Sequence, residues 1–330
     1  MSLEQAWYRS SRWCWLLLPL SWLFAVVAAA RRYAYQQGWL RSESLPVPVL
    51  VVGNISVGGT GKTPFTLWLC RWLQQQGYRP GIISRGYGAR ITDPVVVSPD
   101  HTAAEVGDEP LLLARQSGCP VVVCPDRLAA GRALLAAQRC DLIISDDGLQ
   151  HYRLQRSFEV VLIDGQRGFG NGFLLPAGPL REPVSRLNSA DLVIANSGSH
   201  PLAQGKMSLK VQAVRPLLAD DAQAETVLPT SSAVHLLAAI GNPERFAITV
   251  QQAGYSIAER FFFPDHHDFT EQELLSLPTP LLMTAKDAVK CQAFAKAGWF
   301  YLEVEAELDR ESQQQLAAWL AAHCPKTELP

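Results

Sequence analysis

The chain has 330 residues, 48% of them apolar, enough to bury a sizeable core and to build two domains. A formal net charge of −2 leaves no basic excess to neutralise phosphates, which excludes general nucleic-acid binding. The charge is unevenly placed: up to Arg41, the cations Arg9, Arg12, Arg31, Arg32 and Arg41 oppose Glu4 alone, leaving 24 basic against 30 acidic residues beyond. A basic amino-terminal segment on an acidic body suits docking on an anionic membrane face.

The first predicted element is the uncharged run Trp13–Ala30, which as a helix spans about 27 Å, close to the ~30 Å hydrocarbon core. Three readings compete for it. Ala28-Ala29-Ala30 resembles a signal-peptide cleavage site. A spanning helix is marginal because of Pro19 and Ser21. The reading favoured here is a helix sunk into one leaflet, since five of the nine tryptophans (Trp7, Trp13, Trp15, Trp22, Trp39) cluster in this region. Export also conflicts with the nucleotide site argued below. The seven cysteines lack CxxC or zinc-ligand spacing, which fits reduced, mostly buried thiols in the cytosol.

After a polar linker (Arg41 to Pro48), short apolar runs alternate with helical patterns. Val49–Val52, Gly81–Ser84, Val121–Cys124, Leu142–Ser145, Val160–Ile163 and Leu192–Ala195 read as strands covered on both faces. Lys62–Gln76 and Arg127–Gln138 read as helices between them. This alternation predicts a doubly wound α/β domain with a mostly parallel sheet. Poorly periodic sequence with Pro201, Gly205, Pro216 and Pro229 follows. A second α/β pattern then contains strands His235–Ile240, Leu281–Thr284 and Trp299–Val304, with helices after Gly241-Asn242-Pro243 and around Asp287–Ala297. The expected division is residues 1–44 (membrane-associated helix and linker), 45–230 (nucleotide-binding domain) and 231–330 (smaller α/β domain), with a ligand cleft between the last two.

Strand Val49–Val52 leads through Gly53-Asn54-Ile55 into Ser56-Val57-Gly58-Gly59-Thr60-Gly61-Lys62-Thr63 and then a helix. Amides of such a turn bind phosphate oxygens; Lys62 neutralises the β- and γ-phosphates and the Thr63 hydroxyl ligates Mg²⁺. Pro64 is tolerated in the first helical turn. The usual pattern has glycine where Ser56 stands. Even so, strand, loop and helix in this order make the fold P-loop NTPase-like and imply ATP with Mg²⁺ as cofactors.

Three acidic clusters accompany the loop. Asp146 and Asp147 end an apolar strand, where Mg²⁺ is held directly or through water, or where a turn is capped. Asp108 and Glu109 can divide proton abstraction and metal binding between them, although Asp-Glu-Pro also reads as a helix start. Asp265-His266-His267-Asp268 suggests a proton relay, a metal site or surface histidines. Asp164 also ends a strand and reads as structural.

Together these segments resemble the tetraacyldisaccharide 4′-kinases. The resemblance covers nearly the whole chain: Leu-Leu-Pro-Leu-Ser-Trp-Leu near the amino terminus, Gly-Gly-Thr-Gly-Lys-Thr-Pro, Ser84-Arg85-Gly86-Tyr87-Gly88, Gly107-Asp108-Glu109-Pro110, Asp146-Asp147-Gly148-Leu149-Gln150-His151, Gly170-Asn171-Gly172, Leu175-Pro176-Ala177-Gly178-Pro179-Leu180-Arg181-Glu182, Asp265-His266 and Lys286-Asp287-Ala288-Val289-Lys290. It implies transfer of the ATP γ-phosphate to the 4′-hydroxyl of a tetraacylated glucosamine disaccharide 1-phosphate, in lipid A biosynthesis. By the same resemblance Asp108 is the base, tuned by His266, and Lys62 stabilises the transferred group. Glu109, Asp146 and Asp147, with Thr63, surround Mg²⁺. Gln150 lies beside them as a substrate-binding candidate, and Arg85, Tyr87 and Arg181 match positions near nucleotide or substrate phosphates. Where the family usually has Thr-Glu-Lys-Asp, this chain has Thr284-Ala285-Lys286-Asp287. The expected location is the cytoplasmic face of the inner membrane, peripheral or monotopic, with no obligate protein partner evident. The competing reading is a membrane-associated P-loop ATPase switch with no phosphorylated acceptor.

Overall fold

The computed structural model describes residues 3–9, 11–218 and 228–324. Twelve strands form one sheet: β1 (Val49–Gly53), β2 (Pro80–Ser84), β3 (Val95–Val96), β4 (Val121–Val123), β5 (Leu142–Asp146), β6 (Phe158–Asp164), β7 (Leu192–Asn196), β8 (Gly205–Pro216), β9 (Ala233–Ala238), β10 (Ser256–Phe262), β11 (Leu281–Thr284) and β12 (Trp299–Leu308). Their order is β10-β9-β11-β12-β8-β7-β6-β1-β5-β2-β4-β3. All pairings are parallel except β12 with β8 and β3 with β4. The structure is therefore the expected mixed α/β fold with a mostly parallel sheet.

The apolar runs form central strands because both faces are covered. On one face Leu50, Ile82, Ile144 and Val160 meet Phe65, Leu69 and Leu73 of helix Lys62–Gln75. On the other, Val51, Ile83 and Ile143 meet Leu128 and Leu134 of helix Arg127–Ala137. The last four strands have two core clusters of their own, around Val234, Phe246 and Leu302, and around Leu237, Met283 and Trp299. Helix Arg310–His323, within the segment read as the smaller domain, packs back on the first half: Trp319 lies 5.0 Å from Phe158 and donates to the Ser157 carbonyl.

Because β12 runs against β8, the second set of strands points opposite to the first in the sheet order. Contacts between Gly241 and Gly59 bring the carboxyl ends of both sets together across one cleft. Among the described residues, the long pair β8/β12, with a register shift between Glu303 and Val304, is the only strand pairing that joins the halves.

The amino-terminal element differs from the single helix expected. Residues Arg12–Leu17 form a 3₁₀ turn, and the α-helix begins at Leu18 with Pro19 in its first turn, where proline's missing N–H costs nothing. The helix runs to Gln36. Ser21 anchors it, donating to the Leu174 carbonyl (2.7 Å) and accepting from the Ala177 amide (2.9 Å). Its outer face leaves Leu20, Trp22, Leu23, Val26 and Val27 exposed.

A buried ion pair braces the first half. Arg186 places Nη2 2.6 and 2.7 Å from the two Glu159 carboxylate oxygens, inside the protein. Glu159→Ala leaves a buried guanidinium without its main counter-charge. The expected loss is about 3–5 kcal/mol of stability, read as a lowered denaturant midpoint with an unchanged slope.

Candidate active site

The phosphate loop is set by backbone constraints. Gly61 adopts φ 93°, and a Cβ there would fall 2.1 Å from Asn196 Nδ2, so a side chain is excluded twice over. Asn196, at the end of β7, donates to the Thr60 carbonyl, and buried Asn54 donates to Thr60 Oγ1. Ser56 is buried, its backbone bridging Leu180, which explains why the loop needs no glycine at that position. From the second half, the Gly241 backbone abuts the loop: a Cβ on Gly241 would lie 2.4 Å from the Gly59 amide nitrogen. Arg245 donates to the Gly59 carbonyl (2.9 Å) and Arg167 to the Gly241 carbonyl (2.8 Å). Asp164 ties the seam by accepting from Arg167, Asn242 and Arg245.

Beyond the loop, β5 delivers two aspartates to different environments. Asp147, at φ 46°, lies 3.6 Å from Lys62 and 3.1 Å from Arg181. Burial opposes its charge, but these two cations hold its carboxyl well below the usual range. One carboxylate thus serves two cations, leaving positive surplus at the mouth of the loop. Asp146 is fully buried. Burial, with Glu109 and Asp147 close by, pushes its carboxyl up to about 7. Its Oδ1 accepts from Thr66 at 3.3 Å, while Oδ2 is buried without a hydrogen-bond partner.

The acidic helix start and the histidine loop meet across the cleft. Asp108 does begin a helix, Asp108–Gln116, and its carboxylate lies 3.1 and 3.2 Å from His266 Nδ1. Burial alone would raise the Asp108 carboxyl; the His266 hydrogen bond and the Lys286 charge outweigh it and bring it down to about 2. Burial disfavours the His266 imidazolium, but the Asp108 hydrogen bond outweighs it and the net shift is upward. His267 instead stacks on Phe263, with centroids 4.7 Å apart.

Asp108, Glu109, His266 and the loop residues Val57 to Thr63 line one cavity of about 940 Å³. Arg85, Tyr87, Asp147, Gln150 and Arg181 line it too, as do Phe24, Val27 and Arg31 of the amino-terminal helix. Ser56 and Asp146 sit one layer beneath. Gln150 donates to the Asn54 carbonyl and to Glu182, and the Tyr87 ring lies 4.7 Å from that of His266. The sequence gives no sign of a role for Asn196, Arg127 or Arg245, and places Lys286 in a motif without assigning it one. Arg127 donates to the Asp146 and Asp147 carbonyls, and nothing in its alanine-rich neighbourhood signals that role.

The description "Tetraacyldisaccharide-1-P 4′-kinase" matches residues 13–324. The chain belongs to that family. It is 50% identical over 310 residues to the tetraacyldisaccharide 4′-kinase of Aeromonas salmonicida, covering 93% of this chain and 92% of that protein. It is also 50% identical over 307 residues to the one from Alkalilimnicola ehrlichii, covering 92% of each. Among solved structures, LpxK from Aquifex aeolicus in complex with ATP superposes with a TM-score of 0.76 at 28% identity, covering 94% of this chain and 99% of that one.

In this family member, Mg²⁺ can be tested against the residues present. The unpartnered Oδ2 of Asp146, the Thr63 hydroxyl and Glu109 supply oxygen donors beside the phosphate loop. Among the described residues there is no ready cluster of three or more His, Cys, Asp or Glu ligands. That pattern suits an ion that keeps waters and substrate phosphates as most of its ligands.

The seam against the loop is testable. Gly241→Ala should push the Asn242 turn away from Gly59 and weaken ATP binding several-fold in calorimetric titration, with only a small loss of melting temperature. Unchanged affinity would mean that the contact does not shape the nucleotide site.

Proposed function

We propose that this kinase transfers the γ-phosphate of ATP to the 4′-hydroxyl of a tetraacylated glucosamine disaccharide 1-phosphate held at the mouth of the cavity. The observation that carries the reading is the single cavity shared by the phosphate loop, the Asp108–His266 pair and the apolar amino-terminal helix. Lys62 and the loop amides position and neutralise the triphosphate. Asp108, oriented by His266, accepts the proton as the sugar oxygen attacks in line. Thr63 and Asp146, with Glu109 and Asp147 nearby, would hold Mg²⁺, which supplies charge neutralisation at the phosphates. Arg181, Arg85, Tyr87 and Gln150 are assigned to phosphate and sugar contacts on the cavity wall. We read residues 45–230 and 231–330 as two units that hinge at β8/β12.

The membrane reading rests on the helix Leu18–Gln36. The segment Arg12–Gln36 is long and apolar enough to cross a membrane, and within it only Cys14 and Ser21 are buried in protein. Yet one stripe is committed to the body through Ser21, and Arg31 donates to the Gln150 carbonyl beside the cavity. A helix held along its length in this way fits lying in one leaflet of the inner membrane, at its cytoplasmic face, better than leaving the body to span. The substrate makes the same demand, since each buried CH₂ is worth ~0.8 kcal/mol and four acyl chains stay in the bilayer.

An ATPase switch would use the loop but gives Asp108 and His266 no task. Purified protein, Mg-ATP and the acylated disaccharide should yield a labelled phospholipid; ATP hydrolysis with no labelled lipid would favour the switch. Asp108→Ala should lower turnover by about 10²–10⁴-fold with ATP affinity intact. Lost ATP binding would instead place Asp108 in the nucleotide site. Replacing Leu23 and Val26 with aspartate should release the protein from anionic vesicles in a sedimentation assay, whereas retention would assign membrane contact elsewhere.

A further inference from the structure

The most heavily engaged cation in the cleft has no role in the scheme above. Lys286 leads out of β11 at the start of helix Ala285–Cys291, and its side chain is almost wholly enclosed. Its Nζ lies 3.1 Å from Glu109 Oε1, 3.3 Å from Asp265 Oδ1, 3.7 Å from Asp108 Oδ2 and 3.3 Å from His266 Nε2. Three carboxylates and an imidazole thus converge on one ammonium.

The contact with His266 has a consequence for the proton. An ammonium has three donors and no acceptor. In the neutral ring, Nε2 beside Lys286 must therefore be the acceptor, which places the ring proton on Nδ1, the atom facing Asp108. A ring flipped to the other tautomer would set an N–H against the ammonium and a lone pair against the carboxylate, losing two hydrogen bonds at once. We propose that Lys286 is a positioning residue for phosphoryl transfer, locking His266 as its Nδ1–H tautomer so that the Asp108 carboxylate, which also accepts from the Glu109 amide at 2.8 Å, meets a ring donor rather than a ring lone pair and keeps a lone pair for the acceptor hydroxyl.

The same ammonium lies 3.1 Å from Glu109 Oε1 and 3.7 Å from Asp108 Oδ2, and so offsets the repulsion between these neighbouring carboxylates. Charge alone would be served by a cation anywhere nearby; the two-sided contact with His266 is what requires a donor at this position. Ala285 adds no competing carboxylate next to Lys286.

This inference rests on the assignment of Asp108 as base, and the experiment separates the two. Asp108→Asn, Lys286→Met and Lys286→Arg are compared in the full-length protein. Turnover is measured with Mg-ATP and acylated disaccharide, and the ¹⁵N shifts of His266 are recorded at alkaline pH in labelled protein, assigned with His266→Asn. Lys286→Met should lower kcat about 10–100-fold, as loss of an outer contact does, with KM for ATP nearly constant and His266 populating the Nε2–H form. Lys286→Arg, which keeps a donor, should hold the Nδ1–H form and recover most of the kcat. The inference is overturned if the Met variant keeps its turnover, or loses it with the tautomer unchanged. Should the Met variant not fold, a folded Arg variant with the wrong tautomer or no recovered turnover overturns it equally. Full activity in Asp108→Asn would instead remove the base assignment itself.

Discussion

Everything in the cleft depends on two backbones meeting without side chains. Gly241 of the second half approaches the phosphate loop so closely that a Cβ on it would lie 2.4 Å from the Gly59 amide nitrogen, so a side chain there must displace one backbone from the other. Around that contact Asp164, Arg167 and Arg245 form a buried knot spanning the seam, with Arg245 reaching a loop carbonyl. Pairing buried charges gains little net stability, because desolvation offsets attraction. What it supplies is register: only one placement of the second half satisfies all three charges. That placement is also the one that brings His266 to Asp108, although the two residues come from opposite sides of the cleft.

The charge arrangement follows the same economy. Two cations, Lys62 and Arg181, share Asp147 near the loop, so positive potential remains for a triphosphate. On the facing wall one cation, Lys286, is shared by three carboxylates, and with His266 it keeps Asp108 ionised. On the proposed reading, a triphosphate is drawn to the first wall, and the acceptor hydroxyl meets an ionised carboxylate on the second.

The parts of this design that were legible in the sequence are those written in local periodicity or in a short motif. The buried strands β1, β2, β4 to β7, β9 and β11 are continuous apolar runs, and the loop is a glycine-rich turn between a strand and a helix. β8 was passed over because its pattern is weak: Met207 is buried, but Leu209, Val211 and Ala213 are only partly covered between Lys206, Ser208, Lys210 and Gln212. Alternation with period two was present, and flanking prolines masked it. The edge strand β10 carries Glu259 and Arg260 for the same reason: exposure removes the apolar signal. Asn196, Arg127, Arg245 and Lys286 act through partners far away in the chain, so no spacing rule points to them. Asp108 is legible both as a helix start and as a base; it begins helix Asp108–Gln116, and the base role is the one proposed above.

The amino-terminal helix shows how one element can answer two demands of a lipid substrate. Its outer face, with Leu20, Trp22, Leu23 and Val26, is built for hydrocarbon and headgroup. Its inner face contributes Phe24, Val27, Ala28 and Arg31 to the cavity that also holds the phosphate loop. A helix that merely anchored the protein would leave the acyl chains to cross water on their way to the site. A helix that merely walled the site would leave the enzyme adrift from its substrate. On the proposed membrane reading, wall and anchor are the same nineteen residues, and an acyl chain lying along the outer face would have an apolar path round Val27 into the cavity. The sugar would then reach Asp108 while the chains stay in the bilayer, where each CH₂ kept from water is worth ~0.8 kcal/mol.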